Sequence, residues 1–450
     1  MFGLFSTGYS ETLPRESKMF RVLLSSMIRI VLLFCLMSNS AFSAGLTLEE
    51  CLVKGRADNQ EVKAYQLAVK AAEEGIKEAW GGFLPTLSLS YDQSRVFDSR
   101  GEGLDADFMD QESERLTARL SQPVFAGFKT VAGLEKARLS KTYTEYELEY
   151  ILSQLSREIS RSFYDILRAE QLVNKWKGSI SRLGQQKEIV EAWVDKALAP
   201  RIRLLEVDVE VSNARQQLIT AQSDLAIARA RMKELLALPP GEDFQISGTL
   251  DPDIVAPCDS IEGCTTLALE QRADLKLMGL NIEIVRKSAT EVLSRNLPQV
   301  NLDASWTDYQ RDYDNAGLSD DDRDYYSLFL NINFRPFQGG RNLFAWRRQR
   351  LELERAQHLK ADLHQTIVSE VNARFEQFYQ NFGLVQNARD SRAEAWEAYR
   401  LVKRSVELGV ISLEDLLNAE LRLTRSEINQ VEAAHKLNSA YVQLEHVLGR

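Results

Sequence analysis

The side chains with the widest chemical reach in this chain are four histidines, His358, His364, His435 and His446. Metal-assisted hydrolysis needs imidazoles at ligand spacing, as in a His-Glu-x-x-His pair that sets two rings on one helix face. No such pair occurs, and all four lie in helix-forming stretches where a solvated or packed imidazole is expected. Phosphate chemistry needs a glycine-rich turn that opens a helix. Gly101-Glu102-Gly103 sits instead in an acidic segment with no helix after it, so no phosphate cradle is expected. The acidic segments 98–112 and 311–324 offer oxygen ligands for divalent cations or a cation bias at a channel mouth, although runs of this kind are ordinarily solvated loops. Carboxylates elsewhere fall on charged helices and are expected to be surface charge. Cys258 and Cys264 flank a short polar loop and are candidates for a local disulfide, while Cys51 fits a small core position. These residues point to no enzyme, no metal site and no cofactor. What remains is charge, and the question is which elements position it.

The N-terminus carries export signals. Arg21 and Arg29 precede the apolar run Ile30–Met37, and Ala41-Phe42-Ser43 supplies small residues for cleavage after Ser43. Residues 1–43 are therefore expected to be a signal peptide, with Met19 or Met27 as possible alternative starts. The apolar run is too short to span a bilayer. The remaining chain carries a net charge of about −12, which argues against a nucleic-acid partner. Export also suits a Cys258–Cys264 bridge.

Hydrophobic content of 44% and charged content of 27% describe a folded chain. Its organisation is unusual. Residues 129–196 contain no proline and are rich in helix formers, and 341–408 reads the same way. A continuous helix of that length is roughly 100 Å long, far beyond the usual helix of about 11–12 residues. Ala199-Pro200-Arg201 and the region of Gly409 mark reversals, each followed by a second helical run, to Leu238 and Leu448. Leu84-Pro85 recurs as Leu297-Pro298, Phe125/Gly127 as Phe337/Gly339, and Leu236 as Leu448. One register held over so long a stretch signals an internal duplication. The expected division is a first repeat over 44–238, a linker over 239–264 and a second repeat over 265–450. In helix 413–448 two apolar seams, Leu417/Leu421/Ile428/Val431 and Leu416/Leu423/Leu437/Leu444, imply two helical neighbours.

Each repeat opens with a helix and contributes two alternating stretches, at about 84–96 and 113–124, then 298–310 and 324–336. In the last, Tyr326, Leu328, Leu330, Ile332 and Phe334 alternate with Ser327, Asn331 and Asn333. This is the dyad pattern of an outer-membrane barrel, though a soluble antiparallel sheet alternates too. Sheet edges cannot lie open in hydrocarbon, and four strands are too few to close. A membrane-spanning sheet therefore requires several chains, and three supply twelve strands around a polar lumen.

The Leu-Pro strand starts, the bends Pro123-Val-Phe-Ala-Gly127 and Pro336-Phe-Gln-Gly339-Gly340, the duplication, and Leu408-Gly-Val-Ile-Ser412-Leu-Glu-Asp-Leu-Leu-Asn-Ala419 together resemble the TolC family of outer-membrane efflux and secretion ducts, over the whole mature chain. The resemblance implies an α+β membrane protein: a periplasmic α-barrel of very long helices joined to a transmembrane β-barrel, with four strands per protomer, closed by trimerisation. It implies location in the outer membrane of a Gram-negative cell, among its lipids. It also implies a passive exit duct that docks a periplasmic adaptor (membrane fusion) protein and an inner-membrane RND, ABC or MFS transporter, in a tripartite pump or a type I secretion system. The alternative from the residues alone is an extended periplasmic coiled-coil adaptor or scaffold.

By the same resemblance the reversals form the periplasmic tip, and Ala199, Pro200, Gly409, Val410 and Ser412 become adaptor-docking positions. Asp415 matches one of the carboxylates that ring the family's closed tip, with Glu414 beside it. The family's second carboxylate falls on Asn418, and its nearby basic position on Ile411. Arg203 stands at the repeat position equivalent to Asp415. Opposite charges at equivalent sites suggest that Arg203 pairs with Asp415 or Glu414 of a neighbouring helix pair and holds the tip shut. Pro123, Gly127, Pro336, Gly339 and Gly340 become the barrel-to-tunnel bends.

Overall fold

The computed structural model describes residues 45–99, 108–239, 241–250, 254–313 and 321–450. The expected signal peptide, Gly101 and Gly103, and the central parts of both acidic segments lie outside the described residues. Helix α1 (Leu48–Asp58) opens with a capping box in which Thr47 Oγ1 accepts the Glu50 amide and the Glu50 carboxylate accepts the Thr47 amide. Asn59 ends α1 and caps α2 (Gln60–Gly81) by accepting from the amides of Glu61 and Val62. Strands β1 (Thr86–Ser99) and β2 (Phe108–Phe125) follow, then helices α3 (Lys129–Asp195) and α4 (Ile202–Leu235). The second half repeats the order. Helices α5 (Ile261–Gln271) and α6 (Ala273–Leu293) precede β3 (Gln299–Tyr313), β4 (Asp321–Asn333), α7 (Arg341–Glu407) and α8 (Leu413–Val447). The stretch 266–296, which reads as one helix, is broken at Arg272, whose extended backbone separates α5 from α6.

Helices α3 and α7 are 67 residues each, which at 1.5 Å per residue is about 100 Å. They act as continuous posts. Helix α6 flanks the N-terminal part of α3 through Lys136–Glu291 and Lys287–Glu135 ion pairs. Beyond Ser153, α8 takes over that side, while α2 and then α4 occupy the other. Helix α7 packs against α6 and α8 alone among the long elements. The helices thus form an arc with α4 and α7 as its outer members.

Three apolar clusters hold the arc. One joins Ile159, Ile166, Met232 and Leu236 to Cys51 of α1 and to Phe244 and Leu250 of the linker. A second joins Ile367, Val371, Phe378, Leu437 and Leu444 to Cys264 of α5. The third, around Leu183, Val190, Val406 and Leu423, lies toward the far end of the hairpins. Each fully buried aliphatic side chain contributes about 1.5–3 kcal/mol. The linker is tied down by a bridge between Leu46 and Ile246, and by a Cys258–Cys264 disulfide with Cα atoms 5.6 Å apart. Cys51 is fully buried, which with the neighbouring Glu50 charge raises its thiol pKa to about 11.

The four strands form one antiparallel sheet in the order β1-β2-β3-β4. Directly opposed residues share a face. Leu89, Ala118, Trp306 and Tyr326 stand in one row, and Leu87, Leu120, Ala304 and Leu328 in the next. This face is apolar and open, with Tyr326 82% and Leu328 71% exposed. The other face carries rows such as Ser90, Thr117, Thr307 and Tyr325. It is the crowded one, with Thr117, Thr307 and Tyr309 buried, as in a sheet curled with its polar side inward.

The strands differ from the sequence expectation at both ends. They run into the acidic segments, because antiparallel pairing continues past the apolar rows and sets Arg95 opposite Glu112 and Arg311 opposite Asp321. At the other end β4 stops at Asn333, opposite the first residue of β3, so Arg335 and Pro336 have nothing to pair with. Pro123 remains inside β2 at a register irregularity that absorbs its missing N–H.

Each strand-to-helix bend uses two successive left-handed residues, Gly127–Phe128 (φ 61° and 67°) and Gly339–Gly340 (φ 60° and 79°). A Cβ on Gly127 would lie 2.7 Å from the Ser294 carbonyl oxygen, whereas one on Gly339 meets nothing within 4 Å. Because the φ values match, the two alanine substitutions separate backbone strain from contact. We expect Gly339→Ala to cost about 1–2 kcal/mol and Gly127→Ala about 1–3 kcal/mol more, read as loss of thermal stability of the detergent-extracted protein. Equal losses would show that the Ser294 contact is irrelevant.

Candidate functional site

The far end of the helical arc is built by two equivalent reversals. Helix α3 ends with Ala197 donating to the Val194 carbonyl (2.9 Å) and Leu198 to that of Trp193 (2.8 Å). Helix α7 ends with Gly409 donating to Val406 (2.9 Å) and Val410 to Ser405 (2.9 Å). Both are Schellman motifs, with Ala197 (φ 58°) and Gly409 (φ 72°) at the left-handed position. Repeat 1 therefore accepts with alanine a conformation that repeat 2 makes with glycine. The next residues, Leu198 and Val410, project as apolar knobs, 70% and 75% exposed. Pro200 is exposed, and Ala199 and Ile411 tuck into the third apolar cluster.

Ser412 caps α8. Its Oγ accepts the Asp415 amide (3.2 Å), and the Asp415 carboxylate accepts the Ser412 hydroxyl (2.6 Å) and amide (3.3 Å). Asp415 is thus held at a helix N-terminus that favours its charge. It remains exposed, and with Asn418, Arg422 and Arg425 it lines a cleft of about 570 Å³ between α7 and α8. Arg203 lies beside Glu414 rather than Asp415: its Nη2 is 2.8 Å from Glu414 Oε2, and its Nη1 is 2.9 Å from Glu206 Oε2. This contact joins the two hairpins within one chain.

Above the tip, α3 and α8 are joined by polar pairs that the sequence reading missed. Ser153 meets His446, Asp165 meets His435 (2.7 Å), Arg168 meets Glu432 (3.1 Å) and Lys175 meets Glu427 (3.6 Å). Partners advance along α3 as they recede along α8, as antiparallel helices require. At the centre Arg182 Nε donates to Glu420 Oε2 (2.7 Å), and its Nη2 reaches Glu427 (3.1 Å) and Thr424 (3.1 Å). Ser179 and Thr424 donate to the other Glu420 oxygen. The expectation that helical carboxylates are surface charge fails here. Glu420 is 1% and Glu427 5% exposed, because α8 has neighbours on two sides. Burial works against the Arg182 charge, but the two glutamates outweigh it and raise its pKa. The seven-residue spacing of Glu420 and Glu427 was the available signal, since it keeps both on one stripe of α8. His358 and His364 are solvated, whereas His435 and His446 are half-buried in this interface. Among the described residues no cluster is arranged to hold a metal ion, and no helix is long and apolar enough to cross a membrane.

A family described as "Outer membrane efflux protein" matches this sequence twice, over residues 52–238 and 265–450. The chain belongs to the outer membrane efflux protein family. That family is one of efflux channels rather than enzymes, and its members lie in the Gram-negative outer membrane and reach into the periplasm. The chain is 18% identical over 389 residues to the outer membrane protein TolC of Vibrio cholerae serotype O1, covering 84% of this chain and 85% of that one. Its fold is similar to that of the Campylobacter jejuni CmeC outer membrane channel, with a TM-score of 0.77 at 13% identity over 100% of this chain and 93% of that one. It is likewise similar to the open state of the Neisseria gonorrhoeae MtrE channel, with a TM-score of 0.74 at 17% identity over 90% and 89%. In this chain the open apolar face belongs to the sheet, not to a described helix.

The α3–α8 interface yields two expected outcomes. Arg182→Met strands two buried carboxylates and should cost about 3–5 kcal/mol in unfolding of the detergent-extracted protein, with partial recovery when Glu420 and Glu427 are both made glutamine. A loss below about 1 kcal/mol would show that water replaces the guanidinium. Burial first, then Arg157 and Arg272, lower the His446 pKa to about 4 from its ordinary 6.5. Between those values the unfolded chain binds the proton and the folded one does not, so stability falls as pH falls from 6.5 to 4. His446→Gln should flatten that part of the melting-temperature profile; an unchanged slope would assign the acid sensitivity elsewhere.

Proposed function

We propose that three copies of this chain form the exit duct of a tripartite efflux pump or type I secretion system, conducting substrate passively from a periplasmic adaptor and inner-membrane transporter to the outside. The observation that carries this is the open four-stranded sheet, apolar on one face, whose edge strands β1 and β4 find no partner among the described residues. A sheet of this kind is excluded from hydrocarbon unless it closes. The helical arc supports the same arrangement, since its outer members carry exposed apolar residues. Ile202, Leu205 and Val209 follow a three- and four-residue spacing on α4, with Ile219 exposed farther along it, and Leu351, Phe382, Trp396 and Leu401 stand on α7. The α4 edge of one copy against the α7 edge of the next completes a ring of helices. A soluble scaffold does not account for an apolar sheet face this exposed.

In the trimer the reversals form the tip. The apolar knobs Leu198 and Val410, with Ala199, Pro200, Gly409 and Ser412 around them, are the adaptor-docking surface. Asp415 from three copies rings the entrance with negative charge and favours cations, with Asn418 on its inner neighbour position. The Arg203–Glu414 contact pins one hairpin of each chain to the other and keeps the tip shut.

The test is a planar bilayer recording of the purified oligomer, after detergent extraction has shown a heat-modifiable species of about three chains. Asp415→Asn should weaken cation preference, seen as a reversal potential moving toward zero, and Arg203→Ala should raise closed-state conductance several-fold. A purely monomeric, non-conducting protein would sink the duct; unchanged conductance in Arg203→Ala would sink only the latch.

A further inference from the structure

Apart from the tip, the structure has a second concentration of charge at the junction between sheet and helices. Arg295, Arg335 and Arg341, with the amide side chains of Gln299, Asn333 and Gln338, line a cavity of about 420 Å³ there. Gln299 and Asn333 are directly opposed and are the last row of the polar face. The cavity therefore opens on the side of the sheet that faces the lumen once the barrel closes. No acidic residue lines it. Arg341 donates to Gln338 Oε1 (2.6 Å), while Arg295 and Arg335 make no ion pair among the described residues.

The duplication supplies an internal control. Where repeat 2 has Arg295 and Arg335, repeat 1 has Gly82 and Pro123, and it still makes the same bend with the same left-handed pair. The bend does not need the arginines. Charge is also segregated across the sheet. The polar face carries Arg115, Arg119, Arg311 and Arg323, three of which surround the buried Tyr309 ring at 5.1–5.7 Å. Asp92, Asp98, Asp303 and Asp321 share that face with them. The outer face places Glu112, Glu114, Asp308 and Asp324 beyond its apolar rows. Four of the five arginines in the described strands lie on the inner face, and Arg95 alone lies on the outer one.

We propose that Arg295, Arg335 and Arg341 form, in three copies around the lumen, a binding station for anionic solutes, those bearing carboxylate, phosphate or sulfonate groups, on their way up the duct. The station rests on the trimeric duct proposed above. Unpaired guanidiniums with neighbouring amide donors are suited to multiply charged anions, because each presents a fixed fork of N–H groups and none must break an ion pair first. Rings of arginine in a pore favour anions. The tip and the junction are separated by helices of about 100 Å, many Debye lengths, so the negative ring at the entrance leaves the junction's field unchanged.

The probe is inorganic tripolyphosphate, titrated calorimetrically into the detergent-solubilised trimer, with bilayer conductance measured on the same preparations. Wild type should bind it with an affinity that falls steeply with salt. Arg295→Gln/Arg335→Gln should lose at least tenfold in affinity, while the first-repeat variant Lys129→Gln stays near wild type. The double variant must still trimerise and conduct, which removes misfolding as the cause. Wild-type binding in a conducting double variant, or no binding by wild type, overturns the station while leaving the duct intact. Loss of co-purifying phosphatidylglycerol without change in tripolyphosphate binding overturns it too, by turning the arginines toward lipid. A wild-type chain that neither trimerises nor conducts removes the duct and the station together.

Discussion

A peptide group in hydrocarbon has no water to bond, so each must be paired by other backbone. Strands β2 and β3 satisfy this inside one chain, and β1 and β4 satisfy it on one side only. The arrangement of the rest follows from that half-satisfied sheet. Its apolar rows stand open because nothing among the described residues covers them, and its polar rows crowd together because the sheet curls around them. Where the chain leaves the apolar band, water becomes available again and helices become possible. The change is made within two left-handed residues at each bend, which redirect the backbone without an intervening loop.

The fold class was legible because its signals are local. Alternation in Tyr326–Phe334, the proline and glycine at each bend, and the absence of proline from the long helices each reflect one element's own backbone chemistry. The duplication was legible because register is a property of sequence alone. The α3–α8 polar interface was not legible. A glutamate that faces solvent and one that faces a second helix look alike on a charged helix, and only the relative rotation of the two helices decides between them. Glu420 and Glu427 are buried because α8 is flanked by both α3 and α7. At the candidate tip, the sequence identified Arg203, Glu414 and Asp415 as one neighbourhood. It could not distribute their contacts, since that depends on Ser412 drawing the Asp415 carboxylate into the helix cap and leaving Glu414 to the guanidinium.

Comparing the repeats separates what the architecture requires from what one half adds. Both halves need a left-handed residue at the reversal, and Ala197 shows that the requirement is conformational rather than a demand for glycine. Both need the strand-to-helix bend, yet only one surrounds it with arginines. The buried ion cluster is asymmetric as well, because α3 from one repeat meets α8 from the other. Duplication followed by divergence has left a chain in which symmetry marks the scaffold and asymmetry marks the charge.

The two long helices have the same length, 67 residues, and begin and end at equivalent positions of the two repeats. Their tips can be level only while that equality holds. An insertion or deletion in one helix alone lifts its reversal out of the plane of the other and shifts every α3–α8 pair out of step. A change of one heptad moves a tip by about 10 Å, so tolerated changes must occur twice, once in each repeat and in whole heptads. The distance this protein reaches from its membrane is therefore inherited in coupled steps, and relatives that bridge wider or narrower gaps should differ by matched pairs of insertions.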